Sequence, residues 1–491
     1  MEFSIRPHYD LFIDGVRTSA HSTETLDCIS PLTQESLFRF PDADAEDVDR
    51  AVKAAQRAFV TWAQVPARKR QALLDACADA LVANVDRLAW LETTNCGKPF
   101  RESHANVLVA AERLRYYAGA CRVLEGTLLP VTRDITSYGQ RAPLGVIGII
   151  GAWNFPLNMF IGKIAPAIAT GNTVVYKPAD STPLTTLESA ELLAAILPAG
   201  VVNVVTGRGT TTGAALVAHP GVRKISVTGS TATGRRVMEG ASATLKRLTL
   251  ELGGKNAQIV YPDADLDRAA QAIALGAFLN QGQVCTAGSR ILAHSSIAGG
   301  LKDRLRDLIA RLRIGDPFDS ANQMGTLASK VHFDRVQDYV ELARQEGGRL
   351  VAAERQVRVD KYPRGLFMSP MLFENLDPAG RVQREEIFGP VATFSEWSDE
   401  RAMFDEVNGV EQGLAAGVWT RDLAQAHAAA QAIESGRVWV NCYNLFPSGA
   451  AFGGSKASGF GREDAFETMF DFTEVKNVIV DAGTTWRNFY D

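Results

Sequence analysis

The rhythm of apolar and polar positions changes repeatedly along this chain. A short strand-like piece, Leu11 to Gly15 with a turn at Asp14-Gly15, comes first. From Asp44 to Leu124 apolar residues recur at helical spacing with almost no strand signal, which predicts several packed helices. From Leu144 the pattern becomes short apolar runs alternating with helix-length segments. Strands are expected at Gly145–Ile150, Thr173–Tyr176, Val201–Val205, Lys224–Thr228 and Arg247–Glu251, with helices near Asn158–Ala169, Leu184–Ile196, Thr211–Ala218 and Thr233–Glu239. A second alternating block places strands near Ala257–Tyr261, Arg290–Ala293, Val391–Phe394, Ala415–Thr420 and Val438–Cys442, with helices near Leu266–Leu279, Leu301–Leu312 and Leu423–Ile433. Alternation of this kind specifies an α/β fold: a Rossmann-like doubly wound parallel sheet, then a second α/β domain, with ligands at the carboxyl ends of the strands. Two ribbons rich in Thr, Val and Ile, Thr127–Gln140 and Phe472–Val480, lie outside both blocks. Isolated strand edges are normally covered, so the ribbons are expected to pair with each other or with another subunit.

Composition narrows the function classes. The 491 residues suffice for about three domains, and 46% hydrophobic content is ordinary for a globular chain. Net charge is −5, with no block of like charge to attract a phosphate backbone or anionic lipid, so neither nucleic acid nor membrane is an expected partner. The N-terminal residues are broken by charges and Pro7, and apolar runs such as Leu144–Trp153 are too short to span a bilayer. Cysteines at 28, 77, 96, 121, 285 and 442 show no C-x-x-C or other metal-ligand spacing, which argues against zinc and against a disulfide scaffold. No metal is expected, and a reducing cytoplasm fits best.

One of those cysteines stands apart. Gly282-Gln283-Val284-Cys285-Thr286-Ala287-Gly288 sets a thiol among small and polar residues, downstream of Glu251-Leu252-Gly253-Gly254-Lys255. The pair reads as a nucleophile and its base, although a lone cysteine is usually a small core hydrophobe. Gly151-Ala152-Trp153-Asn154-Phe155-Pro156 follows a buried strand, where an open sheet presents its ligand, and the Asn154 amide is suited to a developing oxyanion. A turn asparagine accounts for it equally well. Lys177 and Asp180 end the next strand and could hold a ribose diol or form a solvated pair. The glycine clusters 207–213 and 229–234 each join a strand to a helix, yet neither matches G-x-G-x-x-G.

Taken in order, Gly-Ala-Trp-Asn-Phe-Pro (151–156), Lys-Pro-Ala-Asp (177–180), Glu-Leu-Gly-Gly-Lys (251–255), Gly-Gln-x-Cys (282–285), Glu-Glu-Ile-Phe-Gly-Pro (385–390) and Ser-Gly-x-Gly-Arg-Glu (458–463) resemble the NAD(P)-dependent aldehyde dehydrogenase superfamily over nearly the whole chain. The resemblance implies Cys285 as nucleophile, Asn154 and the Cys285 backbone N–H as oxyanion donors, and Glu251 as general base. Lys163 and Glu463 match relay positions near that base; as plain surface charges they would need no such role. Gly151, Ala152, Trp153, Lys177, Asp180, Gly213, Gly229, Ser230, Glu386 and Phe388 are the implied cofactor contacts. Asp180 replaces the commoner glutamate and would still repel a 2′-phosphate, so NAD is expected, with NADP left open. Glu251 also implies hydrolysis to a free acid rather than transfer to coenzyme A.

The implied aldehyde tunnel comprises Met159, Gly162, Leu279, Val284, Thr286, Asn444, Phe446 and Phe452. Gly162 replaces a bulky aromatic and is expected to widen it. No arginine stands among these positions, which disfavours a distal carboxylate and leaves a medium-chain or aromatic aldehyde first, a betaine-type amino-aldehyde second. A catalytically silent binding relative has no support from these residues. The expected division is an NAD-binding domain (1–123 and 144–252), a catalytic domain (253–470) and a β oligomerisation element (124–143 and 471–491) of a homodimer or homotetramer.

Overall fold

The apolar run Val146–Ile150 forms the first strand of a parallel sheet because β-branched side chains fill both of its faces. The computed structural model describes residues 3–352, 355–484 and 490, so 1–2 and the end of the expected 471–491 limb lie outside the described residues. In spatial order the core of this sheet is Val202–Val204, Thr173–Lys177, Val146–Ile150, Val222–Thr228 and Arg247–Glu251, all parallel. The order reverses between Val146–Ile150 and Val222–Thr228, and a crevice opens at such a switch point. Loops 151–154 and 229–230 therefore fall where a ligand is expected. The hairpin Leu11–Ile13/Val16–Thr18 extends one edge, and Gly459–Phe460 pairs antiparallel with Arg247–Glu251 at the other, so the end of the second block closes the first sheet.

The second sheet runs Arg349–Leu350, Met371–Glu374, Val391–Trp397, Arg290–His294, Ala257–Val260, Ala415–Trp419, Arg437–Val440, parallel except for the first pair. The last strand stops at Val440, so Cys442 lies beyond it, contrary to the expected Val438–Cys442 run. Strand Met371–Glu374 and helices Lys330–Gln345 and Glu400–Asn408 were not expected. In Lys330–Gln345 the inward positions His332, Val336, Val340 and Ala343 have helical spacing, but a histidine at the first blurs the apolar stripe. Thr211–Ala218 was expected as one helix; it opens instead as a π turn, Gly209–Gly213, before Ala214–Ala218.

The expected ribbons pair with each other. Thr473–Asp481 runs antiparallel to Ile135–Pro143, which also pairs with Thr127–Pro130. Between the first sheet and helices Ala67–Ala83 and Phe100–Ala120 lies helix Pro156–Ala169, buried almost all round. A helix without a solvent face has no room for an unpaired charge, which makes its one lysine, Lys163, informative. Among the described residues no helix is long and apolar enough to cross a membrane.

Candidate active site

Cys285 sits where two cavities meet. One, of about 320 Å³, runs along the carboxyl ends of the first sheet; the other, about 310 Å³, opens between helices Phe100–Ala120 and Pro156–Ala169 and the loops that carry Cys285, Asn444 and Phe452. The thiol is partly exposed, whereas Cys28, Cys77, Cys96 and Cys121 are buried. Its short loop is strained: Asn280, Gln281 and Gly282 have successive positive φ values of 48°, 57° and 72°. Conformations like these cost about 1–3 kcal/mol per non-glycine residue and persist only when surroundings impose them. The Asn280 N–H donates to Glu102 and its side-chain amide to the carbonyls of Asn154 (3.1 Å) and Gln283 (3.2 Å). Gly282 packs on the Gly389 carbonyl so closely that a Cβ would collide with it, which accounts for the glycine beside the Glu-Glu-Ile-Phe-Gly-Pro segment.

Asn154 is buried and reaches the same loop: its Nδ2 donates to the Gln283 carbonyl at 2.9 Å. An amide nitrogen has two N–H groups, so one remains for a ligand. Its own carbonyl accepts from Lys98 Nζ at 2.7 Å, and Lys98 in turn is paired with Glu92 at 3.0 Å; both side chains are 0% exposed. Glu92 also accepts from the Leu157 N–H at the start of the buried helix. Sequence reading missed this pair, because a lysine and a glutamate on predicted helices look like surface charges.

Glu251 ends its strand facing the tunnel cavity, 4% exposed, with neither carboxylate oxygen hydrogen-bonded. Burial first, and Glu463 second, push its carboxyl well above the ordinary carboxylate range. Burial, then Glu386 and Glu251, likewise push the Cys285 thiol up to about 12. Both shifts favour the neutral forms of the thiol and the carboxyl. Lys163 is buried, not a surface charge; it donates to Ser226 Oγ at 3.1 Å and Glu463 at 2.5 Å, so the expected relay pair is assembled beside Glu251.

The cavity along the first sheet is lined by Gly151, Ala152, Trp153, Asn154, Lys177, Asp180, Gly229, Ser230, Glu386 and Phe388, as expected. Gly213 is not among them. It lies behind the Lys177 stem, 3.6 Å from Cδ as judged by a Cβ built there, and Gly209 takes the lining position because the π turn rotates the loop. Burial brings Lys177 down to about 8, and its Nζ donates to the Pro178 carbonyl at 2.6 Å. Ser230 caps helix Thr231–Ser242, whose N-terminus points at the cleft. Glu386 accepts from the Gly254 N–H at 3.0 Å and is pushed up to about 7 by burial; only glycine at 253 leaves room for its carboxylate. Phe388, at φ 64°, is held by His332, whose Nε2 contacts the Phe388 carbonyl at 2.7 Å. His332 and Arg335, which donates to the Glu386 carbonyl, were not anticipated from sequence.

All eight expected tunnel residues line the second cavity: Met159, Gly162, Leu279, Val284, then Thr286, Asn444, Phe446 and Phe452. Two expectations about it fail. Arg113 lines it as well, so it is not free of arginine, and the space left by Gly162 is not open. A Cβ built at Gly162 comes to 3.0 Å from Arg113 Nη1, so the guanidinium fills what the glycine vacates.

A profile of the Aldehyde dehydrogenase family matches residues 18–478. Among solved structures, a provisionally assigned aldehyde dehydrogenase from Burkholderia cenocepacia is 44% identical, with TM-score 0.96 over 98% of this chain and 99% of that one. PnpE from Pseudomonas sp. WBC-3, in complex with nicotinamide adenine dinucleotide, is 41% identical, with TM-score 0.95 over 97% of this chain and 98% of that one. Betaine aldehyde dehydrogenase from Staphylococcus aureus, in complex with NAD+, is 34% identical, with TM-score 0.95 over 98% and 97%.

Proposed function

The chain belongs to the aldehyde dehydrogenase family, and we propose that it uses NAD to oxidise a medium-chain or aromatic aldehyde to the free acid through Cys285. The observation that carries this reading is the meeting of both cavities at Cys285. The cleft along the first sheet fits a dinucleotide: a carboxylate, Asp180, and a buried lysine, Lys177, stand at one end, a helix N-terminus at Gly229-Ser230 lies along it, and Glu386 and Phe388 stand near the cysteine. When bound there, NAD supplies the hydride acceptor.

The remaining chemistry belongs to the chain's own side chains. Glu251 takes the thiol proton, and Cys285 attacks the aldehyde carbon to give a thiohemiacetal whose oxyanion is held by the free Asn154 N–H and the Cys285 backbone N–H. After oxidation the product is a thioester on Cys285, and Glu251 removes a proton from the water that hydrolyses it. Lys163 and Glu463 hold charge and protons beside Glu251. The apolar tunnel walls suit the body of a medium-chain or aromatic aldehyde. A betaine-like cation is the weaker alternative, because the tunnel acids Glu463 and Asp464 are already paired with Lys163 and Arg113.

The exposed apolar side chains Leu128, Leu129, Val475 and Ile479 of the three-stranded ribbon support a homodimer or homotetramer, and the domain limits given above remain part of this proposal. Rapid-mixing kinetics with NAD and an aldehyde tests the assignment. The Glu251→Gln variant should release a burst of about one NADH per site and then turn over slowly, and Cys285→Ser should release none. Steady-state turnover of Glu251→Gln equal to wild type would remove Glu251 from the mechanism.

A further inference from the structure

Two groups in the tunnel carry hydrogen-bond donors that the proposed oxidation does not use. The first is Arg113 on helix Phe100–Ala120. Its Nη1 donates to Asn158, to Oδ1 at 2.5 Å and to the carbonyl at 3.3 Å, and its Nη2 donates to Asp464 at 2.6 Å. These bonds engage three of the five N–H groups of the guanidinium and leave two for another acceptor. The second is Asn444. Its Oδ1 accepts from Thr286, the neighbour of Cys285, while its Nδ2 is buried with no partner. Leaving such a donor unpaired is costly, and the cost is relieved when a ligand oxygen arrives.

The charges point the same way. Behind the aromatic wall, the Arg437 guanidinium lies 5.2 Å from the Phe446 ring and 5.3 Å from the Phe452 ring. The acids Asp464 and Glu463 of this cavity are engaged by Arg113 and Lys163, and Arg437 donates to the Leu445, Ala450 and Ala451 carbonyls. The donors left over are those of Arg113 and the Asn444 amide.

We propose that the aldehyde taken by this enzyme carries a carboxylate away from its reacting carbon, and that Arg113 and Asn444 bind it. The proposal rests on reading this cavity as the aldehyde tunnel, and it narrows the substrate class to an apolar or aromatic body between an aldehyde and an acid. A forked guanidinium and an amide N–H are the donors suited to a planar carboxylate. The glycine at 162 then leaves the Arg113 guanidinium its room in the tunnel.

Matched aldehydes test this: benzaldehyde, para-carboxybenzaldehyde and para-trimethylammoniobenzaldehyde, with pentanal and 5-oxopentanoate as a flexible pair. Steady-state kcat/KM with NAD is measured for wild type, Arg113→Met and Asn444→Ala. Because Arg113→Met strands the Asp464 carboxylate, Arg113→Met/Asp464→Asn is measured beside it, with benzaldehyde turnover reporting on folding. Wild type should prefer an anionic aldehyde to its neutral partner by about tenfold or more, which corresponds to about 1.4 kcal/mol, and should disfavour the cation. The double variant should lose most of that preference, read as the ratio of kcat/KM for the anionic aldehyde to that for its neutral partner. The proposal is overturned if neither anionic aldehyde is preferred, or if the variants lower neutral and anionic substrates equally. Absence of NADH formation from every aldehyde would instead sink the dehydrogenase reading, and this inference with it.

Discussion

Lys98 is the most consequential residue that does not touch the reacting atoms, and removing its charge gives a worked prediction. Lys98→Met deletes three contacts at once: the 3.0 Å pair with Glu92, the 2.7 Å bond to the Asn154 carbonyl, and the cation over the Phe155 ring at 4.3 Å. Glu92 is left as a fully buried charge with only the Leu157 N–H and Asn106 as donors. Breaking a buried pair on one side costs about 3–5 kcal/mol. At about 2.1 cal/mol/K per residue, 491 residues unfolding together have an entropy of roughly 1 kcal/mol/K. The melting temperature should therefore fall by about 3–5 °C, and by about twice that if only the part of the chain carrying the pair melts. Lys98→Met/Glu92→Gln removes the stranded charge yet keeps an amide oxygen for Leu157, and should regain more than half of the loss.

Activity separates stability from positioning. The Asn154 carbonyl would keep only its bond from Asn280, so the amide proposed to hold the oxyanion loses the shorter of its two supports. A displacement of about 1 Å is enough to cost about 100-fold. We expect kcat about 10- to 100-fold lower in both variants, with KM for NAD unchanged, measured by differential scanning fluorimetry and steady-state kinetics below the melting range. A Lys98→Met enzyme that melts within 1 °C of wild type, or a double variant that is less stable than the single one, would refute the reasoning.

Other consequences are direct. Glu251 must be deprotonated to act, and burial raises its pKa, so kcat/KM should rise with pH through that raised value and the rise should vanish in Glu251→Gln; an unaltered profile would assign it to another group. Asp180→Ala should reduce the ratio of kcat/KM for NAD to that for NADP by about tenfold, through loss of repulsion of a 2′-phosphate, and an unchanged ratio would count against the cofactor reading. Gly253→Ala forces the Glu386 carboxylate aside, so KM for NAD should rise by about tenfold or more while circular dichroism stays native.

Local pattern was enough for much of this protein. The parallel strands of the first sheet were legible because buried parallel strands are continuous apolar runs, and Cys285, Glu251 and Asn154 because each follows a strand or stands between glycines. Pairing of the two ribbons was one of two open readings, since a strand edge does not itself specify its partner; the register Thr473 to Pro143 decided between them. Polar groups separated widely in sequence were not legible at all. Lys98, between two helices, and Arg113, on the second of them, look like solvated charges until folding buries one beneath Asn154 and brings the other beside Gly162. Chain order and periodicity determined which elements form and which residue types are available for chemistry. Only packing decided which charges lost their water, and that loss is what raises the Glu251 carboxyl, makes a clamp of Lys98 and Glu92, and puts a cation in a tunnel whose expected lining contained none.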